Sequence, residues 1–161
     1  MNDLQANKDA SRRLYEEVFG RGNLEAADEI MAADIVSHGP GVPPLVGTAQ
    51  IKRQAQLLRG GLPDLAVALN DQIAEEDRVC SRWTGTGTHT GDLMLPTGPV
   101  PATGKQIAFD EIRIDRYLDG RIVESWFIPD RFTMWSALGL IGASPAARPL
   151  IARAQAPRST A

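Results

Sequence analysis

The chain has little to offer a soft metal or a disulfide: one cysteine and two histidines in 161 residues. Cys80 alone excludes an internal disulfide and any multi-cysteine metal site, and such usage fits a reducing cytoplasm. His38 and His89, set among scattered acids, do not form a metal signature, so no metal is expected. Basic charge is also scarce. With 17 Lys and Arg against 20 Asp and Glu, no basic stripe is available to neutralise phosphates, which argues against nucleic acid as a partner. Long apolar runs are missing as well. No segment approaches the ~20 consecutive apolar residues of a membrane span, and no apolar run follows a basic start, so neither a span nor a signal peptide is expected. A cytoplasmic location follows as the expectation.

What is present is ordinary for a globular protein: 43% hydrophobic and 23% charged residues, enough for one domain with its own core. The first half reads as helices. From about Asp9 to Phe19, Leu14, Tyr15, Val18 and Phe19 recur at helical spacing. Asn23 is a candidate cap for a second helix through Met31 and Ala32. After a brief strand and the loop "HGPGVPP", Thr48 caps a third helix that Gly60 and Gly61 end. The second half reads as strands. "EEDR" and "LDGR" separate runs rich in Val, Ile, Trp and Tyr and are hairpin signals, whereas "PTGPVPATG" holds too much proline for a sheet interior. A short helix from Arg131 to Leu138 closes the domain. Residues 1–142 are thus expected to be one domain, and 143–161, rich in Ala, Pro and Arg, a flexible or loosely docked tail. Helices first and antiparallel strands afterwards imply an α+β fold.

"VSHGP", "RWTGTGTHTG", "PATGK", "LDGRIVESWFIPD" and "WSALGL", in this order and spacing after the helices, resemble the SnoaL-like polyketide cyclases of the ketosteroid-isomerase-like group. The resemblance covers roughly residues 9 to 141. It implies a cone in which a curved antiparallel sheet wraps around the N-terminal helices and encloses an apolar pocket. It also implies a cofactor-free cyclase of the lyase or isomerase type acting on a hydrophobic, polyketide-like small molecule, and a homodimer. In the family, the acid ending the "E-x-W-x-x-x-D" strand is the general acid/base of an aldol ring closure. In this sequence that acid is Asp130.

Strand alternation puts Glu124, Trp126, Ile128 and Asp130 on one face and Ser125, Phe127 and Pro129 on the other. With the first face turned to the pocket, Asp130 would be hard to ionise and its pKa raised toward the range of a working base. The competing reading is a cap on the last helix. His89, in parity with Trp83, Gly85 and Gly87, would line the open volume beside those glycines and orient Asp130 or donate to an enolate. The resemblance places His38 at the end of the first short strand. Asp110 and Glu111 fall on opposite faces. Asp110, if it shares a face with Ile112 and Ile114, is a semi-buried acid, although solvated charges are the simpler account of the pair. An acid around Glu111 and the long 92–104 loop depart from the family pattern. Tyr15, Phe19, Trp83, Met94, Trp126 and Met134 are expected to contribute rigid aromatic and adaptable thioether walls. The other face, Arg113, Asp115 and Tyr117 with Val123, Ser125 and Phe127, is the expected dimer interface. Besides the acid/base cyclase, the sequence leaves open a shape-driven cyclase of a polyene or epoxide, a non-catalytic binding domain, and a hydrolase or dehydratase.

Overall fold

A computed structural model describes residues 3–95 and 98–141. The expected tail, 143–161, and the boundary at 142 lie outside the described residues. The chain opens with α1 (Leu4–Arg13), capped by Asp3, whose carboxylate accepts from the Gln5 and Ala6 amides at 3.0 Å. It runs on without a break as a π-helical segment, Leu14–Arg21, which stops at Gly22 with φ +75°. Next come α2 (Ala26–Ile30), β1 (Met31–His38), β2 (Leu45–Val46), α3 (Thr48–Gly61), β3 (Ala66–Glu75) and β4 (Arg78–Thr88). A hairpin of β5 (Leu93–Leu95) and β6 (Gly98–Val100) interrupts the sheet before β7 (Gln106–Leu118), β8 (Arg121–Pro129) and α4 (Arg131–Leu138).

The main sheet has the order β2-β1-β8-β7-β4-β3. Both expected hairpins form. The β7–β8 turn uses Asp119 and Gly120 with φ of +51° and +75°, the pair of left-handed residues that a type I′ turn demands. One pairing departs from the antiparallel expectation: β1 lies parallel to β8, with His38 beside Trp126. The strand also starts earlier than its sequence suggests, because Met31 leaves the second helix and opens β1. Met31 and Ile35 face the core there, so tertiary burial outweighs helical periodicity.

The helices cover one face of this curved sheet. Leu14, Val18, Ile51, Val79, Trp83 and Ile122 form the main core, and Leu62, Leu65, Leu93 and Leu138 a second cluster toward α4. The faces of β7 and β8 are reversed from the sequence reading. Arg113, Asp115, Tyr117, Ser125 and Phe127 point inward, whereas Ile112 and Ile128 are 48% and 66% exposed. The inward charges are tolerable because they are matched. Arg113 Nε donates to Asp115 Oδ1 at 2.6 Å and its Nη2 to Ser125 Oγ at 2.7 Å. Ser125 and Ser11 each donate to Asp115 at 2.7 Å, so the buried carboxylate is fully served. Of the dimer face inferred from the sequence, Arg113, Asp115, Tyr117, Ser125 and Phe127 are therefore core, whereas Val123 is half-buried and Ile122 takes the inward place beside it.

Candidate functional site

A cavity of about 450 Å³ opens between the sheet and the helices. Its sheet wall carries Val67, Trp83, Gly85, Phe109, Glu111 and Phe127, and its helical wall Tyr15, Phe19 and one side of α3. β5 supplies Leu93, Met94 and Leu95, and α4 supplies Met134. Tyr15 and Phe19, four residues apart on the π-helical segment, share one face and both reach the cavity. Their rings stack at 5.4 Å between centroids, and Tyr15 stacks on Trp83 at 4.1 Å with 17° between the planes. The result is a rigid aromatic wall.

Glu111 is the only carboxylate among the described residues that line the cavity. β7 presents it opposite Trp83 of β4 and Pro129 of β8, an apolar setting on both sides. Burial pushes its carboxyl up to about 7; Arg113 and Arg131 oppose the rise and Asp115 adds to it. The Tyr15 hydroxyl donates to Glu111. The Arg113 guanidinium lies 5.8 Å from the Tyr15 ring centroid, held there by Asp115 and Ser125. A carboxyl poised near neutrality, hydrogen-bonded to a phenol and flanked by arginines, can take and return a proton at a bound carbon acid.

Of the residues singled out in the sequence, Tyr15, Phe19, Trp83, Met94 and Met134 line this cavity. Asp130, His89, His38, Asp110 and Trp126 do not. Asp130 is exposed and caps α4: its carboxylate accepts from the Thr133 amide at 2.9 Å and hydroxyl at 2.6 Å. Those bonds hold its pKa below the ordinary carboxylate value, opposite to the rise expected from a buried setting. His89 is fully buried in the loop after β4, where Nδ1 meets Thr103 Oγ1 at 3.0 Å and its backbone pins Thr103 to Lys105. Of the two glycines expected to leave volume beside it, Gly85 lines the cavity, with the Phe109 ring 2.6 Å from where a Cβ would stand, and Gly87 packs against Leu62 and Asp64. His38 and Trp126 stack on the outer side of the sheet at 5.5 Å, and His38 meets Glu124 at 3.1 Å. Asp110 is exposed and accepts from Thr84 at 2.6 Å.

Glu111, Arg113 and Arg131 were missed as site residues. Parity set Glu111 apart from Asp110, but alternation alone cannot say which face is inside, and the isoleucines of β7 and β8 pointed the wrong way. The one local signal was the charge series Glu111, Arg113, Asp115 on a single face.

The description SnoaL-like polyketide cyclase belongs to the family model that matches residues 9–138. IdmH from Streptomyces antibioticus, described as a candidate polyketide cyclase, is 32% identical, with a TM-score of 0.71 over 83% of this chain and 98% of that one. A candidate polyketide cyclase from Acidithiobacillus ferrooxidans is 28% identical, with a TM-score of 0.71 over 88% and 100% of the two chains. A SnoaL-like candidate cyclase from Jannaschia sp. CCS1 shares the fold at 21% identity, with a TM-score of 0.77 over 88% and 98%. No protein of curated function matches the sequence. Among the described residues, no helix is long and apolar enough to cross a membrane.

Proposed function

We propose, on the premise that this chain belongs to the SnoaL-like polyketide cyclase family, that it closes a ring in a polyketide-like molecule by acid/base catalysis at Glu111. The observation that carries the reading is Glu111, the one cavity carboxylate among the described residues, with burial pushing its carboxyl up to about 7. Ionised Glu111 removes a proton from carbon beside a substrate carbonyl. The electron pair of that C–H bond forms the enolate, whose carbon attacks a second carbonyl and makes the new C–C bond. The alkoxide left on the second oxygen takes the proton back from Glu111, so the side chain ends as it began. The Tyr15 hydroxyl and the Arg131 charge lie beside the carboxylate and stabilise the negative oxygen as it develops. The stacked Tyr15–Trp83 wall holds the two carbonyls in register and keeps water out.

General-base catalysis contributes roughly 10²- to 10⁴-fold. Glu111→Gln should therefore lose that much kcat while ligand affinity stays within a few-fold, and wild-type turnover should rise with pH through about 7. Full turnover by Glu111→Gln would remove the mechanism. A second reading draws on the same wall: the cavity folds a polyene or epoxide, and ring closure follows from shape. Under it, Glu111→Gln is mild and Trp83→Ala severe, so the pair of variants separates the two.

A further inference from the structure

The polar part of the cavity lining is unevenly placed. α3 turns Gln50, Arg53, Gln54 and Leu57 toward it, at the i, i+3, i+4, i+7 spacing of one helix face. Among the described residues, none of the three polar side chains in that set makes a hydrogen bond or an ion pair. The charges lining the cavity are Arg53, Glu111, Arg113 and Arg131. Arg113 is neutralised by Asp115 at 2.6 Å. Arg131 acts on Glu111 and donates to the Pro40 carbonyl at 2.7 Å. Among the described residues Arg53 has no counter-charge; it lies on the helical wall and is exposed to solvent, while Glu111 sits on the sheet wall.

We propose that the substrate bears a carboxylate, read by Arg53 with the Gln50 and Gln54 amides on either side. Its apolar body then lies along Trp83, Phe109 and Phe127, and its reacting carbons reach Glu111. Only that last placement rests on the acid/base reading above. The guanidinium fork matches a carboxylate in two parallel hydrogen bonds, a fit that an ester or thioester end cannot reproduce. Arg53 is thus a specificity-determining residue, and the natural substrate is a free acid or one that keeps an ionised carboxyl remote from the closing ring.

The test is calorimetric binding of 2-naphthoic acid, its methyl ester and 2-naphthyl phosphate to the full chain at pH 8. A charge-assisted pair predicts the acid about 10- to 100-fold tighter than the ester. In Arg53→Gln the two should come within about threefold, with the ester affinity unchanged, and Arg53→Lys should restore part of the gap. Equal binding of acid and ester by the wild type, no binding of the acid, or a preference that survives Arg53→Gln overturns the proposal. Tighter binding of the phosphate than of the acid overturns the carboxylate assignment. Glu111→Gln should keep the acid preference. If that variant also keeps its turnover, the acid/base reading falls and the Arg53 assignment stands.

Discussion

Glu111 has a thermodynamic consequence separate from turnover. Its carboxyl titrates at about 7 in the folded protein against an ordinary value of 4.5. Between those values the folded chain holds a proton that the unfolded chain has released, so folding is favoured less as pH rises through the interval. The loss is complete above about 7 and amounts to at most about 3 kcal/mol. Glu111→Gln removes this dependence and should be the more stable protein at pH 8, with little difference at pH 4. Urea unfolding of both proteins across that range measures it, and parallel curves would show that the carboxyl titrates normally. The same residue shows what a sequence hides. Glu111 and Asp110 are adjacent acids on a strand, and period-two alternation separates them without saying which side is inside. Tyr15, more than ninety positions away, decides the matter by donating to Glu111.

At the scale of elements, the local signals were the legible ones. The Asp119-Gly120 turn and the stop of α4 at Gly139, with φ +84°, each rest on one or two residues whose backbone needs are fixed. The third helix forms where expected, but Gly47 rather than Thr48 is its N-cap and it runs through Gly61 to a C-cap at Leu62. What stayed illegible depends on partners far along the chain. Arg113 and Asp115 are readable as surface charges until Ser11 and Ser125 are seen to satisfy them. Asp130 lies at a joint between the two kinds of signal. It ends β8 and caps α4 through Thr133. Asp130→Ala should accordingly cost about 1 kcal/mol of stability, the usual worth of such a cap, and leave kcat within a few-fold. A fall of two orders of magnitude in kcat with the fold intact would restore Asp130 to the chemistry. Asp115→Ala should do far more damage, about 3–5 kcal/mol, because it leaves the Arg113 charge buried and unmatched. Thermal melts of the two variants side by side rank the cap against the network.

At the scale of the whole molecule, the reversal of β7 and β8 leaves apolar side chains on the side of the sheet away from the helices. Ile128 pairs with Ile112 across β8 and β7, a row that continues into the Arg82–Asp71 ion pair, and two residues along the strands Trp126, Ile114, Cys80 and Ile73 form a second row from β8 to β3. Ile73 is 72% exposed and Ile128 66%. Isoleucines in cross-strand register on a broad sheet face are costly to leave in water and suit burial against a second, flat, apolar surface. The Glu124 carboxylate, bonded to both His38 and Arg116, supplies a polar border beside Trp126. A second copy of the chain presents the same row, and a two-fold contact lets each Ile128 meet the partner's sheet. The expected assembly is therefore a homodimer through this outer face, with both cavities left on the far sides and open. A stable pair of this kind needs roughly 800 Å² from each partner, which a face of four long strands can provide. Ile128→Lys places a charge beside Ile112 on this face, and Ile128 is not among the residues that line the cavity. Light scattering should then give a dimer for the wild type and a monomer for Ile128→Lys, with turnover per chain preserved. A wild-type monomer, or a dimer that Ile128→Lys leaves intact, would show that the row is covered in some other way.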